Sequence, residues 1–227
     1  DGPDTIFGDP LAKLGPASNF RRLSLSGPDG KGVQHQTEDG AVSDSPVFSA
    51  DGTKMLFTST SKTLVPGVVE DDEFTDVYLK DLVTGEVTRV SAPATGSAAT
   101  GHSIQPSFSP NEDRVVFTTW ASNLIAGAND TNGSSDIILY EVATGIRTRV
   151  SAPIDGIEQA NGASRDPVFS PDGLSVAFTS AASNLVGSTD TNGVNDVFVK
   201  TLHPGSSFGV VARVSVTASG GQATGGN

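Results

Sequence analysis

SPVFSADGTKMLFTS (residues 45–59) returns as QPSFSPNEDRVVFTT at 105–119 and as DPVFSPDGLSVAFTS at 166–180. Three copies in a fixed order mark a repeat architecture, in which each unit stacks on the next to bury an apolar face it cannot bury alone. Phe48, Phe108 and Phe169 open each copy, and Phe57, Phe117 and Phe178 follow nine residues later across an SPDG-like turn. That is the spacing of a hairpin. A second landmark follows each time: TDVYLKDLVTGEVTRVS from Thr75, SDIILYEVATGIRTRVS from Ser135 and NDVFVKTLHPGSSFGVVARVS from Asn195. Each unit thus predicts four short strands, in the third copy over 168–170, 175–180, 196–201 and 212–216.

The strand patterns carry further expectations. Val77 and Leu79 alternate with Tyr78 and Lys80, as Val197 and Val199 do with Phe198 and Lys200, so one face is expected to be buried and the other partly wet. The second strands, MLF, VVF and VAF, are apolar throughout, as expected where both faces are covered. No segment holds a 3.6-residue period. Four-stranded sheets at a period near 60 residues are propeller blades. The fold expected is all-β: β-propeller blades of four antiparallel strands, three complete and one stray strand.

The string PVFSPDG, VAFTS, DTNG and DVFVK, repeated in order, resembles the WD-like, TolB-type β-propeller repeats of exported bacterial proteins, over roughly residues 20–227. The resemblance implies a secreted or periplasmic protein and a non-catalytic scaffold or binding module for a protein or glycan. It also implies two alternatives: an accessory propeller of a larger secreted hydrolase of the prolyl oligopeptidase-like kind, or a TolB-like periplasmic protein-binding domain. GPDTIFGD near the start resembles one turn of the RTX nonapeptide repeats, with Asp4 as the calcium ligand of such a turn, or is a plain linker.

The expected organisation is 1–19 RTX-like leftover or linker, 20–40 stray strand and connector, 41–100 blade 1, 101–161 blade 2, and 162–227 blade 3 with a connector onward. FRRLSLS, with Arg22, matches the fourth-strand motif VTRVS. Propellers close with about four to eight blades, so the exposed blade faces are expected to be covered by further blades of the same protein or by a second copy of the chain.

A net charge of −12 repels nucleic acid and anionic membrane and attracts cations. Nothing in the chain is apolar over the ~18 residues needed for insertion into a membrane. The chain has no cysteine, so disulfides and thiolate metal sites are excluded.

The acids recur as well. Asp130, Asn132 and Asp136 return as Asp190, Asn192 and Asp196, and blade 1 places Glu70, Asp72 and Asp76 at the same positions although its glycine has become Glu73. A bare NG turn needs its glycine, whereas an oxygen cage needs its carboxylates. The spacing therefore points to calcium, with sodium as a substitute. The competing reading is an Asx turn, with Asp76, Asp136 and Asp196 bonding backbone N–H groups at the start of the third strand.

Nothing points to catalysis. His35, His102 and His203 each occur at a position the repeats do not share, Ser43, Ser103 and Ser164 recur in every blade, and no GxSxG or HExxH is present. Trp120 has no aromatic counterpart and is a candidate binding residue, either on a surface or in rim packing. Arg22, Arg89, Arg149 and Arg213 are expected to pair with acids between blades.

Overall fold

The computed structural model describes residues 41–66, 73–96, 98–126, 130–153, 159–187, 190–202 and 209–222. Among them are twelve strands in three four-stranded antiparallel sheets. Blade 1 is β1 (Ser43–Phe48), β2 (Lys54–Ser59), β3 (Asp76–Asp81) and β4 (Val87–Arg89). Blade 2 is β5 (Ser103–Phe108), β6 (Arg114–Thr119), β7 (Asp136–Glu141) and β8 (Arg147–Arg149). Blade 3 is β9 (Ser164–Phe169), β10 (Ser175–Ser180), β11 (Asp196–Thr201) and β12 (Val211–Arg213). Each sheet runs in chain order, strand beside strand, as a partial propeller requires. No helix among the described residues is long and apolar enough to cross a membrane. The RTX-like segment, the stray strand with Arg22, His35 and His203 lie outside the described residues.

The first strands begin earlier than the pattern suggested, at Ser164 rather than Val168 in blade 3. A bulge explains the difference: pairing slips between Arg165 and Val168, and Asp166 takes φ 58°. Ser45 and Gln105 do the same in their blades, at φ 53° and 55°. Proline cannot donate to a ladder and is tolerated in a strand at such a bulge, so Pro46, Pro106 and Pro167 sit inside their first strands.

The blades stack front to back. Leu56, Val77 and Leu79 on the front of blade 1 pack against Val115, Phe117, Ile138 and Tyr140 on the back of blade 2. Val116, Ile137 and Leu139 then meet Val176, Phe178 and Phe198 of blade 3. The next blade's first strand also bonds to its predecessor, Ser103 N donating to Thr75 O at 2.7 Å and Ser164 N to Ser135 O at 2.8 Å.

Strand faces depart from expectation in two ways. In blade 1 both faces of β3 are buried, Tyr78 and Lys80 included. In blade 3 the wet face is the valine face: Val197 is 39% exposed where Val77 and Ile137 are at 0%, while Phe198 and Lys200 are buried. Lys200 Nζ donates to Ala152 O of blade 2 at 3.2 Å, which lets an ammonium lie between sheets. Likewise β10, apolar in sequence, is covered on one side only.

Candidate functional site: the acidic loops at the start of the third strands

Each third strand opens on a buried aspartate. Tyr78 lies opposite Arg89 in the β3–β4 ladder, so Asp76, two residues away on the same face, is the diagonal neighbour a long side chain can reach. Arg89 Nη2 accordingly bonds Asp76 Oδ2. Arg149 Nε lies 2.9 Å from Asp136 Oδ2, as an ion pair without the alignment of a hydrogen bond, and Arg213 Nε lies 3.2 Å from Asp196 Oδ2. The expectation that these arginines pair between blades is corrected: each of these three pairs lies within one blade, because the ladder register sets the partner.

A serine completes each set. Ser91, Ser151 and Ser215 donate Oγ–H to Asp76, Asp136 and Asp196 Oδ1 at 2.6, 2.7 and 2.6 Å. The same hydroxyls accept the N–H of Val77, Ile137 and Val197 at 2.9, 3.0 and 3.1 Å. The aspartate thus reaches the strand's first N–H group through a serine.

The DTNG loops close by a different donor. Asp130 Oδ1 accepts from Asn132 N at 3.3 Å and from Gln159 Nε2, while Gln159 Oε1 accepts Thr131 N at 3.0 Å. Asn132 Oδ1 accepts Ser134 N at 2.6 Å, and its Nδ2 donates to Ala160 O at 2.7 Å. Blade 3 repeats the arrangement, with Gln222 gripping Asp190 and Thr191 and lying 3.5 Å from Asp196 Oδ2. Gln159 and Gln222 did not emerge from the sequence reading. The available signal was a paired change: the same connector position is Ala98 before blade 2, where the preceding loop reads EDDE instead of DTNG.

Burial pushes the Asp136 carboxyl up to about 6; Arg149 and Ser151 oppose the rise and the nearby Asp130 adds to it. Glu70 and Asp72 lie outside the described residues. The other expected ligands are brought together within each loop, where N–H, hydroxyl and amide donors meet part of their oxygens and Asp136 Oδ2 is buried beside Arg149 without a hydrogen bond. Among the described residues no three His, Cys, Asp or Glu side chains cluster as a metal set.

The recurrent serines and His102 have structural partners. Ser43, Ser103 and Ser164 bond Ser59, Thr119 and Ser180 side chains at 3.0, 2.9 and 2.9 Å. His102 Nδ1 accepts Thr75 N at 3.0 Å.

No family model matches the chain. A protein TolB homolog of Chlorobium chlorochromatii (strain CaD3) is 25% identical over 184 residues, 79% of this chain. The chain spans 33% of that relative's length. Among solved structures, a TolB protein of Agrobacterium tumefaciens aligns at TM-score 0.44 and 19% identity over 73% of this chain and 46% of its own. A prolyl endopeptidase aligns at TM-score 0.47 and 15% identity over 78% and 23%. The chain is thus a partial β-propeller similar, over most of its length, to a TolB homolog.

Proposed function

We propose that this chain is a non-catalytic propeller module of an exported, periplasmic or secreted, bacterial protein, and that it works by docking. The observation that carries the reading is the front of blade 3. Val197 is 39% exposed where Val77 and Ile137 are at 0%, and Val214 is 49% exposed. In the two interfaces inside the molecule, the equivalent front face takes the aromatic back of the following blade. Phe48, whose counterpart Phe169 is 8% exposed against blade 2, is 58% exposed. Apolar side chains exposed where the other blades bury them mark an interaction site, and the partner they fit is a further blade of the same repeat. Similarity to a TolB homolog supports the docking role and the location outside the cytoplasm.

Calcium enters this proposal as an ion that must displace Gln159. Asp130 and Asp136 face each other near the single Arg149, a locally anionic arrangement that a cation would relieve. Ligand sites of low charge count bind calcium at roughly 10⁻⁴ to 10⁻³ M. Melting with millimolar calcium and with chelator measures this: an upward shift with calcium supports the ion, and superimposable curves remove it.

The docking reading is tested by hydrophobic-dye binding and light scattering on the chain and on Val197→Asp. Dye binding or self-association by the wild type, lost in the variant with the melting midpoint unchanged, is expected. Absence of both in the wild type would sink the reading, and turnover of ester or peptide substrates by the chain would sink its non-catalytic part.

A further inference from the structure

Two aromatic side chains that the repeat does not call for meet at one end of the blade 1–blade 2 junction, and a third stands on the strand position beside them. Trp120 occupies the position of Thr60 and Ala181, His102 that of Val42 and Ala163, and Phe74 that of Ser134 and Val194. The β5–β6 register places Ser103 opposite Thr119, and Trp120 N donates to His102 O at 2.8 Å, so His102 and Trp120 are the next cross-strand pair. Cβ atoms of such pairs lie about 4.5–5.5 Å apart. The His102 ring meets Phe74 edge-on at 5.0 Å between centroids. Because His102 Nδ1 accepts Thr75 N–H, the neutral ring carries its proton on Nε2.

The platform faces solvent: Trp120 is 45% exposed, and His102 is exposed. Its backbone is held tightly, since a Cβ on Gly101 would stand 2.7 Å from the Trp120 carbonyl carbon. The adjoining connector offers neutral hydroxyl and amide groups, Thr100 Oγ1 lying 3.0 Å from Ser122 Oγ and 3.3 Å from Asn123 Oδ1. Gly162, Asn161 and Ser183 repeat that seam and polar rim in blade 3 without the aromatics. The scaffold is therefore common to both junctions, and the rings are the addition.

We infer that Phe74, His102 and Trp120 form a binding platform for the sugar ring of a neutral glycan. A pyranose has a flat C–H face that stacks on an indole and equatorial hydroxyls that need donors and acceptors beside it. Sites for small ligands combine aromatic walls with a few placed polar groups, and exposed Trp gives contact area at low entropic cost. A net charge of −12 opposes anionic ligands. No Lys or Arg stands among the platform or rim residues, and three rings are far less than the ~1,000 Å² a protein interface needs. This inference is independent of the blade-docking face, which lies on blade 3.

Trp120 is the only tryptophan, so intrinsic emission reports on this platform alone. The chain is titrated with chito-, cello- and manno-oligosaccharides and, in parallel, with a proline-rich peptide and tetramethylammonium. Sedimentation with insoluble chitin, cellulose and peptidoglycan gives a second readout. Expected is a saturable emission change with at least one neutral oligosaccharide. Binding should weaken tenfold or more in Trp120→Thr (read by sedimentation) and in Phe74→Ser (read by emission). These replacements are residues the other blades carry at the same positions, so melting midpoints should stay near wild type. Saturation by the peptide or the ammonium ion alone, no saturable change with any sugar, or sugar binding that survives Trp120→Thr would each overturn the assignment.

Discussion

At the scale of single residues, the acid motif is a hydrogen-bonded clasp whose groups the register brings together. Asp136 shows the balance: the guanidinium at 2.9 Å and the Ser151 hydroxyl favour the carboxylate, but burial between two sheets outweighs them and its pKa stands at about 6 against a usual 3.8. A group raised on folding stabilises the native state when protonated. That contribution is fully present below pH 3.8 and is lost as pH rises through 6. The midpoint difference between wild type and Asp136→Asn should therefore shift against the wild type from pH 4 to pH 7; a shift the other way would mean that Arg149 dominates. Gln159→Ala, which removes the grip on Asp130 and Thr131, should cost about 1–2 kcal/mol by chemical denaturation, in the range of lost hydrogen bonds to charged groups. No loss would show the amide to be incidental.

The elements depend on backbone positions that tolerate few residues. Blades 1 and 3 close their first hairpin with Gly52 and Gly173, both at φ 70°. In blade 2 the same position is Glu112 at φ 62°, a left-handed conformation costly to any residue with a Cβ. Its carboxylate compensates by accepting Asp51 N at 3.0 Å and meeting Lys54 Nζ at 3.2 Å, both from blade 1. Glu112→Ala and Glu112→Gly both lose those ties, but glycine alone escapes the left-handed penalty, so the alanine variant should be less stable by about 1 kcal/mol. Equal stabilities in urea would refute the argument. The turn in blade 1 is further clasped by Asp51, held down to about pKa 2 by the Thr53 N–H and by the Ser49 and Thr53 hydroxyls. Stability from that carboxylate is present above pH 3.8 and is lost toward pH 2, opposite in sign to Asp136.

For the whole molecule, the stacking order decides which apolar surface is core. Leu79 and Val199 are equivalent in sequence, yet the first is 7% exposed against blade 2 while the second, half-buried, meets no further blade among the described residues. Introducing a charge at the two sites separates interface from core. Leu79→Asp should unfold blade 1 against blade 2, a loss of roughly 3 kcal/mol or more, whereas Val199→Asp should leave the melting midpoint within a degree or two. Comparable losses would mean that the front of blade 3 is buried in solution.

Periodicity and punctuation in the sequence determined the architecture. The spacing of Phe48 and Phe57, the SPDG-like turn and the recurrence of Asp76 at 60-residue intervals place β2, β3, β6, β7, β10 and β11, because a repeat must present the same residues to the same neighbours. Local pattern also marked the acids, but not their partners. Whether Asp136 meets a cation, an N–H group or Arg149 depends on ladder register, and whether Gln159 reaches Asp130 depends on a connector 29 residues away returning to the loop. The bulges at Ser45, Gln105 and Asp166 stayed hidden because proline reads locally as a strand breaker while an extra residue in the ladder absorbs it. Burial of Lys80 and exposure of Val197 belong to tertiary structure alone: a strand's alternation says that it has two faces, and only the presence of a neighbouring sheet says which of them is dry.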